Sequence, residues 1–421
     1  MKTLARRSLA AAAAAYALLL LDWRDASAPA PVVRPSFRVS AALEAGAAAV
    51  PLAPPLPVVR GGYGPTKAVA TRERDPLHAR AVVLRAGGRS LAIVLLDVVL
   101  VPDALSRSLE TRVADLGLDA VLLLATHTHS SVGAYDERLL AQFVGMGRYR
   151  ADVAGAILGA AERSVRDAVA RIAAVRVRTM QTRIVGWASN RSTIDGPVDD
   201  ALDIVVIERA GGGRVATLAV VAAHPTLEPR TTPELSADFP GAAMRRLEEP
   251  GGVALVLQGA EGDAAIAGRG AEAIEAAGAL VAREVADAAG QAVPPAEPTL
   301  AFARARVALP VVEVQAVRRF LVRRPLSNVA QHLLPRDANV EVLTIGDLTL
   351  LAVPGEPTAL AARRWVRPNE LKTRVVALAD GYIGYIDAPE RVREGTGESR
   401  RAWFGPELAD AIGEGLGAAR Q

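Results

Sequence analysis

The residues best suited to do chemistry are His127 and His129, in the run Ala125-Thr126-His127-Thr128-His129-Ser130. They are two of five histidines in 421 residues, and they follow an apolar run, Leu118 to Leu124, that reads as a strand. On a strand, i and i+2 side chains share a face, so at its end both imidazoles would aim into one cleft. Imidazole is the commonest neutral metal ligand and titrates near neutrality.

Four further polar places fall where strands should end, and ligands gather at the carboxyl ends of strands in α/β sheets. His224 precedes Pro225-Thr226 after the run Val215 to Ala222. Gly262-Asp263 follows the run Val253 to Gln258. Glu356 follows Val353-Pro354-Gly355 and is expected to open a helix. Tyr382 and Tyr385 follow the run Arg374 to Leu378. Two or three imidazoles with a carboxylate form a donor set for zinc or another divalent ion, with a position left for water or substrate. Taken singly, a histidine at a strand end is commonly a hydrogen-bonded structural residue, and Glu356 commonly a helix N-terminal carboxylate. The coincidence at successive strand ends favours a site.

Positioning these residues requires a sheet, and the chain alternates strand-like and helical stretches. Ser90 to Leu100 is apolar except for Asp97, as in a buried strand. Ala104 to Leu116 and Tyr149 to Ile172 have helical periodicity. Val175 to Val185 alternates, which predicts an exposed-edge or two-sided strand. Gly211-Gly212-Gly213 and Gly346-Asp347 each separate two apolar runs and predict hairpins. Gly241 to Glu249 and Gly270 to Gly290 read as helices, as do Glu356 to Arg364 and the stretch after Pro406. No internal repeat is present. The pattern predicts an α/β fold: one large domain with a mixed sheet flanked by helices.

Composition excludes several functions. Half the residues are apolar (51%) and aromatics are 4%, while the net charge is +3, too small for this length to mark a basic surface. No Lys/Arg block or aromatic-basic interleaving is found, so nucleic acid is not expected as a partner. The absence of cysteine excludes disulfides and thiolate metal sites. Lys2, Arg6 and Arg7 precede the apolar run Leu9 to Leu21, and Ala26-Ser27-Ala28 offers a small-x-small cleavage site. Residues 1–28 are therefore expected to be an export signal, placing the mature protein in a periplasm or outside the cell, or else a retained N-terminal anchor. Residues 29–58 are rich in Pro and Ala. The part 29–44 is expected to be a linker leading into a domain that spans 45–421.

Taken together, the polar motifs resemble the catalytic domain of the neutral/alkaline, non-lysosomal ceramidases. The matching pieces, in order, are Asp75-Pro76-Leu77-His78-Ala79-Arg80-Ala81, Thr126-His127-Thr128-His129-Ser130, Asn190-Arg191-Ser192 and Ala223-His224-Pro225-Thr226. They continue with Ser236-Ala237-Asp238-Phe239-Pro240-Gly241, Gln258-Gly259 through Gly262-Asp263, Pro354-Gly355-Glu356, Tyr382-Ile383-Gly384-Tyr385 and Phe404-Gly405-Pro406. Metallo-β-lactamases are a poorer match, because Ser130-Ser131-Val132 stands where they carry Asp-His. An amidohydrolase barrel would need further histidines on successive strands, and only His224 and His332 follow the pair.

The resemblance implies a ceramidase catalytic-domain-like fold and one zinc ion held by His127, His224, Glu356 and Tyr385. It also implies His129 as an acid/base or orienting group and Arg191 beside the reacting amide. Asp263, Ala265 and Tyr382 are expected to face the substrate, a lipid or small-molecule amide such as ceramide, for which peripheral contact with a membrane would be natural. Zinc-activated water would perform the hydrolysis. His78 is expected to be structural, close to Asp75 and Arg80. Two departures from the family pattern stand out. The serine of the family's Gly-Asp-Val-Ser-Pro is replaced by Ala265, and the loop after the histidine pair reads Ser130-Ser131-Val132-Gly133-Ala134. The family's C-terminal immunoglobulin-like domain is not expected in this chain. Two readings follow: a zinc-dependent amide or ester hydrolase, or a relative that binds lipid or metal with impaired turnover.

Overall fold

The apolar runs flanking the histidine pair assemble into a mixed eight-stranded sheet. Its order is Val253–Gln258, Arg214–Val221, Ala201–Arg209, Ala173–Arg183, Leu43–Pro51, His78–Ala86, Arg89–Leu96, Ala120–Ala125. In this computed structural model, residues 29–64, 68–248, 251–291, 293–317, 320–367 and 369–421 are described. The middle of the sheet is antiparallel, and each end is a parallel pair. Parallel neighbours need a crossover. Helix Asp103–Arg112 supplies it at one end and helix Asp238–Glu248 at the other.

A second, five-stranded sheet has the order Val32–Ser40, Thr299–Ala308, Asp337–Ile345, Leu348–Ala352, Thr373–Val376. It too ends in a parallel pair, whose crossover contains helix Ala359–Trp365. The period-2 pattern of the strands sorts their side chains into layers. Leu84, Ile93, Leu95 and Leu122 face Leu300, Phe302, Leu343 and Leu350 of the second sheet in one core. On the opposite face, Ala81, Val83, Val94 and Leu123 pack with Leu105, Leu109, Ile157 and Val165 of the helices Asp103–Arg112 and Ala151–Val169. Val307, Val340 and Leu351 pack outward from the second sheet with Trp365, Ile412 and Leu416. The result is helix, sheet, sheet, helix, the mixed α/β single domain expected from the sequence.

The eight-stranded sheet curls until its two edge strands approach. The Gln258 side-chain amide donates to the Thr126 carbonyl at 3.1 Å. Residues 377–380 lie between the edges: Ala377 N–H donates to the Gln258 carbonyl at 2.8 Å and Asp380 N–H to the Leu123 carbonyl at 2.9 Å. Asp380 Oδ1 accepts from Leu123 N–H at 3.1 Å, and its other oxygen accepts from Arg304 at 2.6 Å.

Two expectations are corrected and one is narrowed. The stretch 29–44 is not a linker: Val32–Ser40 pairs with Thr299–Ala308, and Leu43–Pro51 pairs with both His78–Ala86 and Ala173–Arg183. Small apolar Ala residues let the second of these strands lie under helix Ala151–Val169, which is why its composition is low in β-branched residues. Of the two alternatives for Ala173–Arg183, the two-sided strand holds: it is central in the sheet, and its alternation reflects one partly solvated face. Glu356 does not open a helix; it lies in a two-residue parallel ladder with Tyr385, and Thr358 caps the helix instead. The 1–28 segment lies outside the described residues. Among the described residues no helix is long and apolar enough to cross a membrane. Asp97, the odd carboxylate in an apolar strand, is paired with the buried Arg80 at 2.9 Å, and Arg80 also holds Glu248. His78 sits beside them with Nδ1 on the Pro76 carbonyl, a structural position as expected.

Candidate metal centre

Each parallel pair ends at the same place. Past Ala125 the ladder continues for two residues, with Thr126 N–H donating to the Leu96 carbonyl and His127 N–H to the Val98 carbonyl. His127 then turns into the left-handed region at φ 66°, a conformation uncommon outside glycine. The strand-face argument for the i, i+2 pair therefore does not apply. The turn itself brings the rings together, with Nε2 atoms 3.2 Å apart and centroids 4.7 Å apart. His224, just past strand Arg214–Val221, is anchored by its N–H to the Ala264 carbonyl and stands beside Ala265.

Both histidines present Nε2 inward for the same reason. The Nδ1–H of His127 donates to the Val99 carbonyl at 2.6 Å, and that of His224 to the Glu261 carbonyl at 2.7 Å. A carbonyl can only accept, so the proton resides on Nδ1 and the Nε2 lone pair is free. Glu356 Oε2 lies 3.0 Å from His224 Nε2 and 3.3 Å from His127 Nε2, and the Tyr385 hydroxyl is 3.2 Å from His224 Nε2. Four donor atoms around a tetrahedral zinc are about 3.3 Å apart, given Zn–N and Zn–O near 2.0–2.1 Å. A carboxylate oxygen facing two lone pairs calls for a cation between them. His127, His224, Glu356 and Tyr385 thus fit the divalent ion that the sequence motifs imply.

Around this set, Tyr382 donates to Glu356 Oε1, which leaves Oε2 for the cluster. Arg191 reaches the Tyr385 hydroxyl at 2.8 Å and the Gly262 carbonyl at 2.9 Å, while its Nε binds the buried Glu398 at 3.0 Å. Asp263 is turned away: its carboxylate accepts from the Asn190 amide at 2.7 Å and from Ala359 N–H at 3.0 Å, tying three loops together. Ala265 pairs with Ser189 in a two-residue ladder and carries only a methyl group. His129 is half-buried, its Nδ1 has no hydrogen-bond partner, and the Tyr63 ring lies 4.9 Å from it. Of the residues the sequence reading named, Asp263 alone has its side chain fully committed elsewhere.

The electrostatics follow from burial. Burial, and then the Arg191 charge, lower the His224 pKa to about 4, and burial with the neighbouring imidazoles lowers that of His129 well below its usual value. Burial works against ionised Glu356; protonated imidazoles at His127 and His224 would hold the carboxyl well below its usual range, and with both imidazoles neutral a cation between them and Glu356 takes that part. Burial and then the Glu356 charge push the Tyr385 hydroxyl well up, with Arg191 opposing.

Three residues near the site escaped the sequence reading. Glu398 orients Arg191, Tyr63 covers His129, and Glu261 lies in a second donor cluster: its carboxylate and ligand atoms of His127 and Glu356 all lie within 4.8 Å of one another. Glu398 and Tyr63 had no signal, because both reach the site from loops remote in sequence. Glu261 did have one, as an acidic residue inside Gln258-Gly259-Ala260-Glu261-Gly262-Asp263.

Comparison with known proteins bears out the resemblance drawn from the motifs. The family model for the N-terminal domain of neutral/alkaline non-lysosomal ceramidases matches residues 54–251. Among solved structures, neutral ceramidase from Pseudomonas aeruginosa superposes with a TM-score of 0.76 at 18% identity, over 89% of this chain and 73% of that one. A ceramidase complexed with C2 gives a TM-score of 0.75 at 18% identity, over 90% of this chain and 75% of the other. At that identity the likeness establishes the fold. No curated protein sequence matches the chain.

Proposed function

From a chain with a neutral-ceramidase fold, whose residues 54–251 match the neutral/alkaline non-lysosomal ceramidase family, we propose a zinc-dependent hydrolase of an N-acyl amide, ceramide or a chemical relative of it. The observation that carries this reading is the convergence of His127 Nε2, His224 Nε2, Glu356 Oε2 and the Tyr385 hydroxyl at the spacing of a tetrahedral donor set. When bound, a zinc ion supplies Lewis acidity, acidifying water and polarising a carbonyl.

The chain's own residues supply the rest. His129, kept neutral, accepts the proton that water loses on attacking the carbonyl carbon and delivers it to the amine nitrogen as the carbon–nitrogen bond breaks. Arg191, held by Glu398 and the Gly262 carbonyl, keeps a fixed positive charge beside the developing oxyanion and fixes the Tyr385 hydroxyl. Tyr382 orients Glu356. Absence of a hydroxyl at Ala265 leaves attack by water as the available route and excludes an acyl-enzyme at that position. The same absence favours a second reading, a relative that binds metal or lipid with impaired turnover. On the strength of residues 1–28, export from the cytoplasm is also proposed, and the N-terminal sequence of mature protein tests it.

The deciding experiment is elemental analysis of purified protein, wild type beside His224→Ala, followed by assay of fatty-acid release from ceramide and short-chain N-acyl amides with and without chelator. One zinc per chain that is lost in the variant, with chelator-sensitive release, is expected. Bound zinc without release from any amide or ester would favour the impaired relative, and wild type without metal would end the hydrolase reading.

A further inference from the structure

Glu261 is the one residue of the metal centre that no part of the mechanism above uses. It follows strand Val253–Gln258, is fully buried at 0% exposure, and its backbone carbonyl already holds the His224 ring. Neither of its carboxylate oxygens has a hydrogen-bond partner; among the described residues it is the only buried carboxyl so placed. Its carboxylate and ligand atoms of His127 and Glu356 lie within 4.8 Å of one another, and no hydrogen bond joins it to either. A buried charge without a partner is strongly unfavourable, and a neutral acid would still need an acceptor for its proton.

We propose that Glu261 is an additional protein ligand of the metal, so that this centre offers two histidines, two carboxylates and a phenol. The proposal rests on the metal-centre reading above and deepens it. A second carboxylate balances both charges of a divalent cation without help from the phenol. It also moves the donor set toward oxygen, which favours ions such as Mn2+ relative to a set with one carboxylate.

The test is competitive chelator titration of metal-free protein with Zn2+ and with Mn2+, comparing wild type, Glu261→Gln and His224→Ala. Glu261→Gln keeps the shape of the side chain and removes the charge. It is expected to weaken both affinities by at least roughly 10- to 100-fold, the range seen when mere hydrogen-bond partners of metal ligands are removed, with the larger loss for Mn2+. Wild-type affinity for both ions in Glu261→Gln would overturn the proposal while the metal centre stands. No binding by wild type would instead remove the metal centre itself, and the proposal with it. Should Glu261→Gln fail to fold, a crystal structure of the zinc-loaded wild type decides. A Glu261 oxygen about 2.0–2.2 Å from the ion supports the assignment, and one beyond about 3 Å overturns it.

Discussion

His224 shows how one side chain links the centre to stability. Burial first, and Arg191 next, hold its pKa near 4, whereas an unfolded chain would titrate near 6.5. Between those values the unfolded state binds the extra proton, so this contribution is present above about pH 6.5 and is lost on acidification. For chelated protein the loss reaches on the order of 2 kcal/mol at pH 5. Carboxylates with raised pKa, such as Asp97 and Asp238, push the other way, so the comparison must be differential. Urea unfolding at pH 7.5 and pH 5 is expected to show a larger acid-induced drop in wild type than in His224→Asn; equal drops would refute it. Arg191→Lys keeps a charge but loses the fork that spans Glu398, Gly262 and Tyr385. A fall in kcat of about 100-fold or more is expected, with zinc content unchanged in the same preparation. At this scale the sequence was informative wherever a residue type announced its chemistry. His127, His224, Glu356 and Tyr385 meet as the motifs implied. Asp263 misled, because a carboxylate after a strand looks the same whether it faces a ligand or ties loops together.

Elements set how closely the reacting groups can be approached. Gly62, at φ 98°, brings the backbone so near His129 that a Cβ there would lie 2.8 Å from Nδ1. Gly62→Ala adds backbone strain of about 1–2 kcal/mol and displaces the imidazole. Turnover should drop while zinc stoichiometry stays at the wild-type value, a combination that elemental analysis beside steady-state assay would reveal. Helical residues 139–146 lean on the same loop: a Cβ at Gly64 would meet the Val144 carbonyl, while Leu139, Phe143 and Val144 themselves stand exposed. Phe143→Ser is expected to raise KM for long-chain ceramide in vesicles several-fold and to spare a water-soluble short-chain amide. Equal effects on both substrates would rule out a role in lipid contact. Most strands were readable because a continuous apolar run bounded by Gly or polar turns has few alternatives. The stretch 29–44 was not, since Pro29, Pro31 and Pro35 read as breakers although Val32, Val33, Phe37 and Val39 favour a strand, and its pairing partners lie far along the chain. Glu356 was misassigned to a helix because a two-residue ladder leaves no periodicity to read.

Across the whole molecule, the three parallel strand pairs of the two main sheets deliver their carboxyl ends to one point, and the ligands follow those ends. Residues 377–380 hold the curled edges in that arrangement. Asp380→Ala removes the acceptor for Leu123 N–H and leaves Arg304 without one of its partners. Arg304 keeps Glu110 and Glu341, so the cost is mainly that of a buried N–H without its acceptor, about 1–3 kcal/mol. A lower unfolding midpoint and weaker zinc retention should appear together, and full retention of zinc in a destabilised protein would separate the seam from the centre. The mixed-sheet class was legible from the alternation of runs, but the curl was not, because edge-to-edge contact depends on twist accumulated over eight strands.

The positions of the ligands along the chain also impose an order on biosynthesis. They run from His127 to Tyr385, so the donor set is complete only once the chain has been made past Tyr385. A nascent chain can hold no more than a fragment of the donor set, and fragments bind zinc weakly and without selectivity. Under the proposed metal centre, acquisition of the ion therefore follows translation past Tyr385 and closure of the sheets around the donor set, and the ions present where that folding takes place compete for it.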